Sequence, residues 1–514
     1  MKFSPRALLS AMLFLAVFHG SLQAEVKPNA LFSDGAVLQR GVPIPIWGTA
    51  AAGEKVTVRL DGQEASTTAD QDGKWKVQLP PHEAGGPFEM TISGNNTLTI
   101  GNLLVGEVWI CSGQSNMERQ LGPRSGQKPL ENWEQEAASA NYPLLRHFGV
   151  VKNKSISPLE QVRGTWAVCS PETAPNFTAV GYYFGRDLVK QLHVPVGLIH
   201  TSWGGTPAEA WTRREALEKS MPEVLETQKK AAADYPSLLA KYQADEPKLL
   251  QDWAAACEQA KSAGKPEPRK PAPPSDPVNS SSAPSCLFNA MINPLIPYAV
   301  RGVIWYQGEA NAGRAQAYQT LFPLMISDWR QLWAQRDLPF FFVQIAPFKG
   351  QPPEIREAQL LTWKKTPHTS MVVTTDVGDA DDIHPARKEP VGQRLALAAR
   401  ALVYGEKLEY SGPVFESVEF KGPEAVIKFS HVGGGLVAKD GDLKGFTIAG
   451  ADGKFVPATA RIDQDTVVVS APALPNPVAV RYGWVNVPDV NLFNKEGLPA
   501  SPFRSDIPQT NPSH

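Results

Sequence analysis

Cysteine is scarce in this sequence: Cys111, Cys169, Cys257 and Cys286 are the only four in 514 residues. None is spaced as Cys-x-x-Cys, which argues against a zinc site. Charge of one sign is also missing. Fifty Lys and Arg stand against 52 Asp and Glu, so electrostatics gives no case for nucleic acid or an anionic membrane as partner. A long apolar run occurs once, from Ala7 to Phe18, and it is too short to span a bilayer comfortably. With Lys2 and Arg6 before it and Ala24 behind it, this run reads as a signal peptide over residues 1–24. The mature chain is then expected to be exported to the periplasm or beyond, soluble and free of the membrane. An oxidising compartment permits disulfides, and Cys257 and Cys286 flank one insertion that a bond between them would close.

What is present is ordinary globular composition, 42% apolar and 20% charged, in a chain long enough for about three domains. Residues 25–102 read as an N-terminal β-sandwich. Short alternating runs such as Lys55–Leu60 and Trp75–Leu79 are separated by the turns Asp61-Gly62 and Asp72-Gly73. Residues 103–404 change pattern to apolar runs alternating with amphipathic segments, the signature of an α/β domain with a mostly parallel sheet. Five runs are the expected strands: Leu103–Cys111, Pro195–Thr201, Val300–Tyr306, Pro339–Ala346 and Ser370–Thr375. Residues 213–286 interrupt them with charged helical sequence and then a Pro-rich stretch. Residues 405–514 are β-like again, a second sandwich or a return to the first. The 13 Trp and 21 Phe suit sugar rings, though most are expected to fill cores.

The chemistry gathers where strands end, the edge on which ligands bind in an open parallel sheet. The first run enters Ser112-Gly113-Gln114-Ser115, a tight turn before a helix-compatible segment, so Ser115 is placed as a nucleophile. Acyl transfer then needs a base, a group to orient it and donors for the oxyanion. His384 is the base candidate, in Asp376-Val377-Gly378-Asp379-Ala380-Asp381-Asp382-Ile383-His384-Pro385. A carboxylate two or three residues before it can fold back onto the ring. His200, beyond the second run, is a competing base. The acidic run also permits a calcium loop that leaves His384 idle. Oxyanion donors have two sources, the glycines of Ser202-Trp203-Gly204-Gly205-Thr206 and the amide in Gln307-Gly308-Glu309-Ala310-Asn311. Glu309 also permits a glycoside hydrolase, although no partner carboxylate is evident. A carbohydrate-binding protein without catalysis is the remaining reading.

Four such blocks in this order resemble the bacterial sialate O-acetylesterases, within the SGNH hydrolase superfamily. The resemblance rests on Ser115 in Ser-Gly-Gln-Ser-Asn-Met, Gly205 (or Gly204) in Trp-Gly-Gly-Thr, Asn311 in Gln-Gly-Glu-Ala-Asn and His384 in Asp-Ile-His-Pro. It extends to Leu31–Arg40 and Gly497–Arg504. It implies a five-stranded, mostly parallel sheet flanked by helices, with accessory β-sandwich regions at both ends. It also implies a Ser-His-Asp esterase, with Ser115 as nucleophile and His384 as base. The superfamily spelling points to Asp381 as the orienting acid and the sialate branch to Asp382. Ser115, Gly205 and Asn311 are then the oxyanion donors, and Gln114, Trp203 and Glu309 the substrate contacts. The implied substrate is an acetylated sugar or glycan, O-acetylated sialic acid first and acetylated xylan second, with no metal or cofactor. Arg119, Arg124 and Arg314 are candidate anchors for a sialate carboxylate because they lie near these motifs.

Overall fold

The computed structural model describes residues 25–506, so the expected leader over 1–24 lies outside the described residues. Between Lys27 and Ser93 the chain forms short strands with one buried face. Lys55–Leu60 buries Val56, Val58 and Leu60, and Lys74–Leu79 buries every second residue. The first of these turns back through Asp61 and Gly62, both at positive φ, into Gln63–Thr68, the two-residue hairpin loop that matches strand twist.

Strand β1 (Thr97–Gly113) then runs for 17 residues without a break across position 103. Its first half pairs with Gly85–Ser93 and Val37–Gln39. Its second half is the centre of another array, formed with β2 (Tyr142–Val150), β3 (Gly164–Cys169), β4 (Val196–Ser202), β5 (Gly302–Tyr306), β6 (Phe340–Val343) and β7 (Thr369–Val372). The order is β3-β2-β4-β1-β5-β6-β7, all parallel except the edge strand β3. The five expected runs are the five adjacent strands β4-β1-β5-β6-β7. The sheet adds β2 and β3 beyond them, because Arg146 and His147 break the apolar run that would have marked β2. Both are buried: Arg146 donates to Pro143 O and Asn102, and His147 stacks on Phe177.

Both faces of the sheet are covered. Val108 and Ile110 of β1 pack with residues of α4 (Ala315–Leu332) and α5 (Pro353–Lys365). Trp109 and Cys111, pointing the other way, pack with α2 (Ala179–Leu192) and α6 (Glu389–Leu402). Strands buried on both faces are why these runs read as continuously apolar. The chain leaves β1 towards β4 on one side and later fills β5 on the other, so the crevice beyond β1 is the topological switch point.

The insertion contains α3 (Pro222–Ser262), a 41-residue helix in which Leu225 alone is buried. All four cysteines are free. The expected Cys257–Cys286 bond is absent: Cys286 is buried with its thiol on Ser280 O, whereas Cys257 lies near the end of α3. Residues 414–504 form two four-stranded sheets and a strand pair around a separate core. They dock on α5 through Arg504, bidentate to Glu357, and through the Arg356 guanidinium on Val485 O.

Candidate active site

The turn after β1 is held by its two neighbours. Gly113 has φ +134°, and a Cβ there would lie 2.2 Å from Tyr306 O. The Gln114 N–H donates to that same carbonyl at 2.9 Å, while Gly113 O accepts from Trp203 N–H at 3.1 Å. Only glycine fits so close an approach at positive φ. Ser115 follows as the first residue of α1 (Ser115–Glu118) and faces a cleft of about 560 Å³.

Gly204 and Gly205, beyond β4, form the adjoining wall of that cleft. A Cβ on Gly204 would stand 3.2 Å from the Ser115 Cβ, which fixes how near the loop comes. Among the described residues, neither the Ser115 N–H nor the Gly205 N–H has an acceptor within the protein. Both therefore remain available to a developing oxyanion.

His384 lines the same cleft, half-buried in the irregular stretch between β7 and α6. Its ring Nδ1 lies 3.7 Å from Asp382 Oδ1, longer than a hydrogen bond, and its backbone N–H donates to that oxygen at 2.9 Å. Burial, and after it the Lys388 ammonium, holds the imidazole below its usual pKa, with Asp382 opposing. The shift favours the neutral imidazole, the form able to accept a proton.

Asp381 is a correction. Its carboxylate is 78% exposed and pairs with Lys349 at 2.9 Å, away from the ring. The N–H groups of Asp381 and Asp382 both donate to Asp379 Oδ1; that turn leaves Asp382 beside the imidazole and Asp381 in solvent. Asn311 is a second correction. It is buried outside the cleft lining, with Nδ2 donating to Glu209 at 2.9 Å and Oδ1 accepting from Ala208 N–H and Gln307. It braces the segment after the glycine pair. His200 is tied to Ser202 Oγ at 2.5 Å, and burial pushes its pKa to about 4. The calcium reading fails as well, because protein cations take the loop carboxylates: Asp376 pairs with Arg394, Asp379 with Lys128 and Asp381 with Lys349.

With this geometry in place, similarity to known proteins becomes informative. The family described as "carbohydrate esterase, sialic acid-specific acetylesterase" matches residues 285–401. The sialate O-acetylesterase of Rattus norvegicus is 33% identical, over 90% of this chain and 91% of its own. That of Homo sapiens is 31% identical, over 91% and 90%. The chain belongs to the sialate O-acetylesterase family. A carbohydrate acetylesterase from Xanthomonas citri is 38% identical and superposes with a TM-score of 0.79, covering 94% of this chain and 99% of that one.

For a member of the sialate O-acetylesterase family, the charges rimming the cleft matter. Of the three candidate arginines, Arg124 alone lines it. Arg119 is buried on the carbonyls of Gln120, Gly122 and Lys128, and Arg314 pairs with Glu209 elsewhere. Sequence reasoning missed Lys152 and Glu118. Both Lys152 Nζ and Arg124 donate to Glu118 Oε1 at 2.6 Å, and Glu118 also accepts from Gly204 N–H. Burial works to raise the Glu118 carboxyl, but the Lys152 hydrogen bond and the two cations hold it below the usual range. Gln114, Trp203 and Glu309 also line the cleft, with the Lys152 ammonium 5.4 Å from the Trp203 ring centre.

Proposed function

We propose that this protein is a serine esterase that removes O-acetyl groups from sugars, and from sialic acids in particular. The observation that carries the reading is one cleft lined by Ser115, His384 and the Gly204-Gly205 wall, beside two unengaged N–H groups. Asp382 faces Nδ1 of the imidazole, which leaves Nε2 for the nucleophile. His384 takes the Ser115 proton as the hydroxyl oxygen attacks the acetyl carbonyl. The N–H groups of Ser115 and Gly205 hold the oxyanion. Collapse breaks the ester bond, and His384 gives its proton to the leaving sugar oxygen, which departs as a hydroxyl. Water, deprotonated by His384, then attacks the acetyl-enzyme; acetate leaves and Ser115 is regenerated.

The Arg124–Glu118–Lys152 cluster carries one surplus positive charge on its side of the cleft, opposite Glu309, and that side supports an acidic sugar over a neutral one. The relatives are named for the sialate reaction. Export is part of the proposal: residues 1–24 carry the features of a cleaved leader, and no helix among the described residues is long and apolar enough to cross a membrane. Acetate release from O-acetylated sialic acid and from acetylated xylan, measured side by side, tests the reading. Preference for the first is expected. Release from xylan alone transfers the assignment to plant polysaccharides, and release from neither ends it.

A further inference from the structure

We propose that Asn116 is a positioning residue of this site, its amide tying the nucleophile turn to the loop that carries His384. The inference rests on the Ser115–His384 reading above. Asn116 follows Ser115 directly and is fully buried. Its Nδ2 donates to Ile383 O at 3.0 Å, the carbonyl immediately before His384. The same nitrogen donates to Glu309 Oε1 at 2.6 Å, while Oδ1 accepts from Lys388 Nζ at 2.5 Å. One amide thus joins the segments after β1, after β5 and after β7, with partners 193 to 272 positions away in sequence.

The partners leave this amide a single orientation. An ammonium can only donate, and a carboxylate and a carbonyl can only accept. Asn is the residue type that satisfies all three at once; Asp offers no donor and Leu offers nothing. The need for such a tie is clear from the backbone, since residues 373–388 contain neither helix nor strand. Backbone ties from other segments reach the stretch at Ala380 O and Ala386 O, from Lys349 and Glu131 N–H groups, but the carbonyl next to His384 is held by a side chain, and this one reaches straight to the nucleophile's neighbour. Lys388 is equally committed: it is buried, held by Asn116, and 5.4 Å from the Tyr306 ring centre.

A simple Asn116→Asp change sets a carboxylate against Glu309 and can fail to fold, so the decisive experiment pairs it with Glu309→Gln. In the double variant the carboxylate introduced at position 116 accepts from Lys388 and from the amide introduced at position 309, and the buried charge balance is restored. The Ile383 carbonyl alone loses its donor. With Glu309→Gln as the reference enzyme, the double variant is expected to melt no lower than the reference, because a carboxylate again faces Lys388, and to keep its KM. Its kcat should fall roughly 10- to 100-fold, the scale set by misplacing one group by about an ångström. Equal kcat in the two variants overturns the proposal. A loss of melting temperature that fully accounts for the lost turnover overturns it too, by showing a purely structural role. Ser115→Ala and His384→Ala run alongside: turnover surviving in either removes the underlying reading, whereas two dead variants with an unimpaired double variant remove only the role of Asn116.

Discussion

The turn that carries Ser115 and the loop that carries His384 are built on opposite plans. The turn is fastened by main chain: Gly113 lies against Tyr306 O, Gln114 N–H bonds that carbonyl, and Trp203 N–H bonds Gly113 O. Its position is a property of the sheet. The loop from 373 to 388 is fastened largely by side chains, namely Arg394 on Asp376 and Val373 O, Lys128 on Asp379, Lys349 on Asp381, and Asn116 on Ile383 O. A serine set by the sheet tolerates change in neighbouring side chains. An imidazole set largely by side chains is open to adjustment, and to damage, one substitution at a time.

That contrast can be broken outright by removing its two end points. Ser115→Ala and His384→Ala should each lower kcat by at least ~10³-fold with KM and melting temperature little changed. Activity persisting in either variant dissolves the pairing. The loop side is sharpened by its two acids: Asp382→Asn should cost on the order of 10²–10⁴-fold in kcat because the ring loses its orienting charge, while Asp381→Asn should stay within about twofold. Equal effects would mean that the 78% exposed carboxylate turns inward during catalysis.

On the sheet side, Asn311→Ala should act on stability rather than chemistry. It orphans the Ala208 N–H and one oxygen of buried Glu209, a loss of about 1–3 kcal/mol seen in denaturant unfolding. A large fall in kcat at unchanged stability would return Asn311 to the oxyanion site. The smallest expected effect is in pH. His384 must be neutral to act as base, and its pKa is depressed, so kcat/KM should rise with pH along a limb below about 6.5. Lys388, Arg124 and Arg119 push that limb down and Asp382 pushes it up. Burial brings Lys388 itself to about 7, so it is largely charged where the limb falls. Lys388→Met removes one positive charge and should move the limb to higher pH. An unmoved limb would separate Lys388 from the imidazole.

The same contrast explains what could be read from the sequence. The Ser115 turn and the Gly204-Gly205 loop could be placed at strand ends because each directly follows an apolar run, and in the first Gly113 lies against Tyr306 O where a Cβ would clash. The five central strands were legible because burial on both faces leaves continuous apolar runs. Whether Asp381 or Asp382 meets the ring was not, since the answer depends on both N–H groups turning onto Asp379 Oδ1. The fate of Asn311 was hidden for a related reason: an amide beyond a strand can face substrate or be captured by a buried acid, and Glu209 lies 102 positions away. Lys152, too, is drawn to the cleft by partners distant in sequence, Glu118 34 residues earlier and the Trp203 ring.

Strand β1 carries one more consequence. Its 17 residues serve two assemblies, the N-terminal strands with the first half and the parallel sheet with the second. A truncated enzyme begun at residue 103 would sever that shared beam in its interior, stripping Leu103, Leu104 and Val105 of their flanking partners. The front portion is therefore no detachable cartridge, and anyone seeking a minimal catalyst should trim from elsewhere.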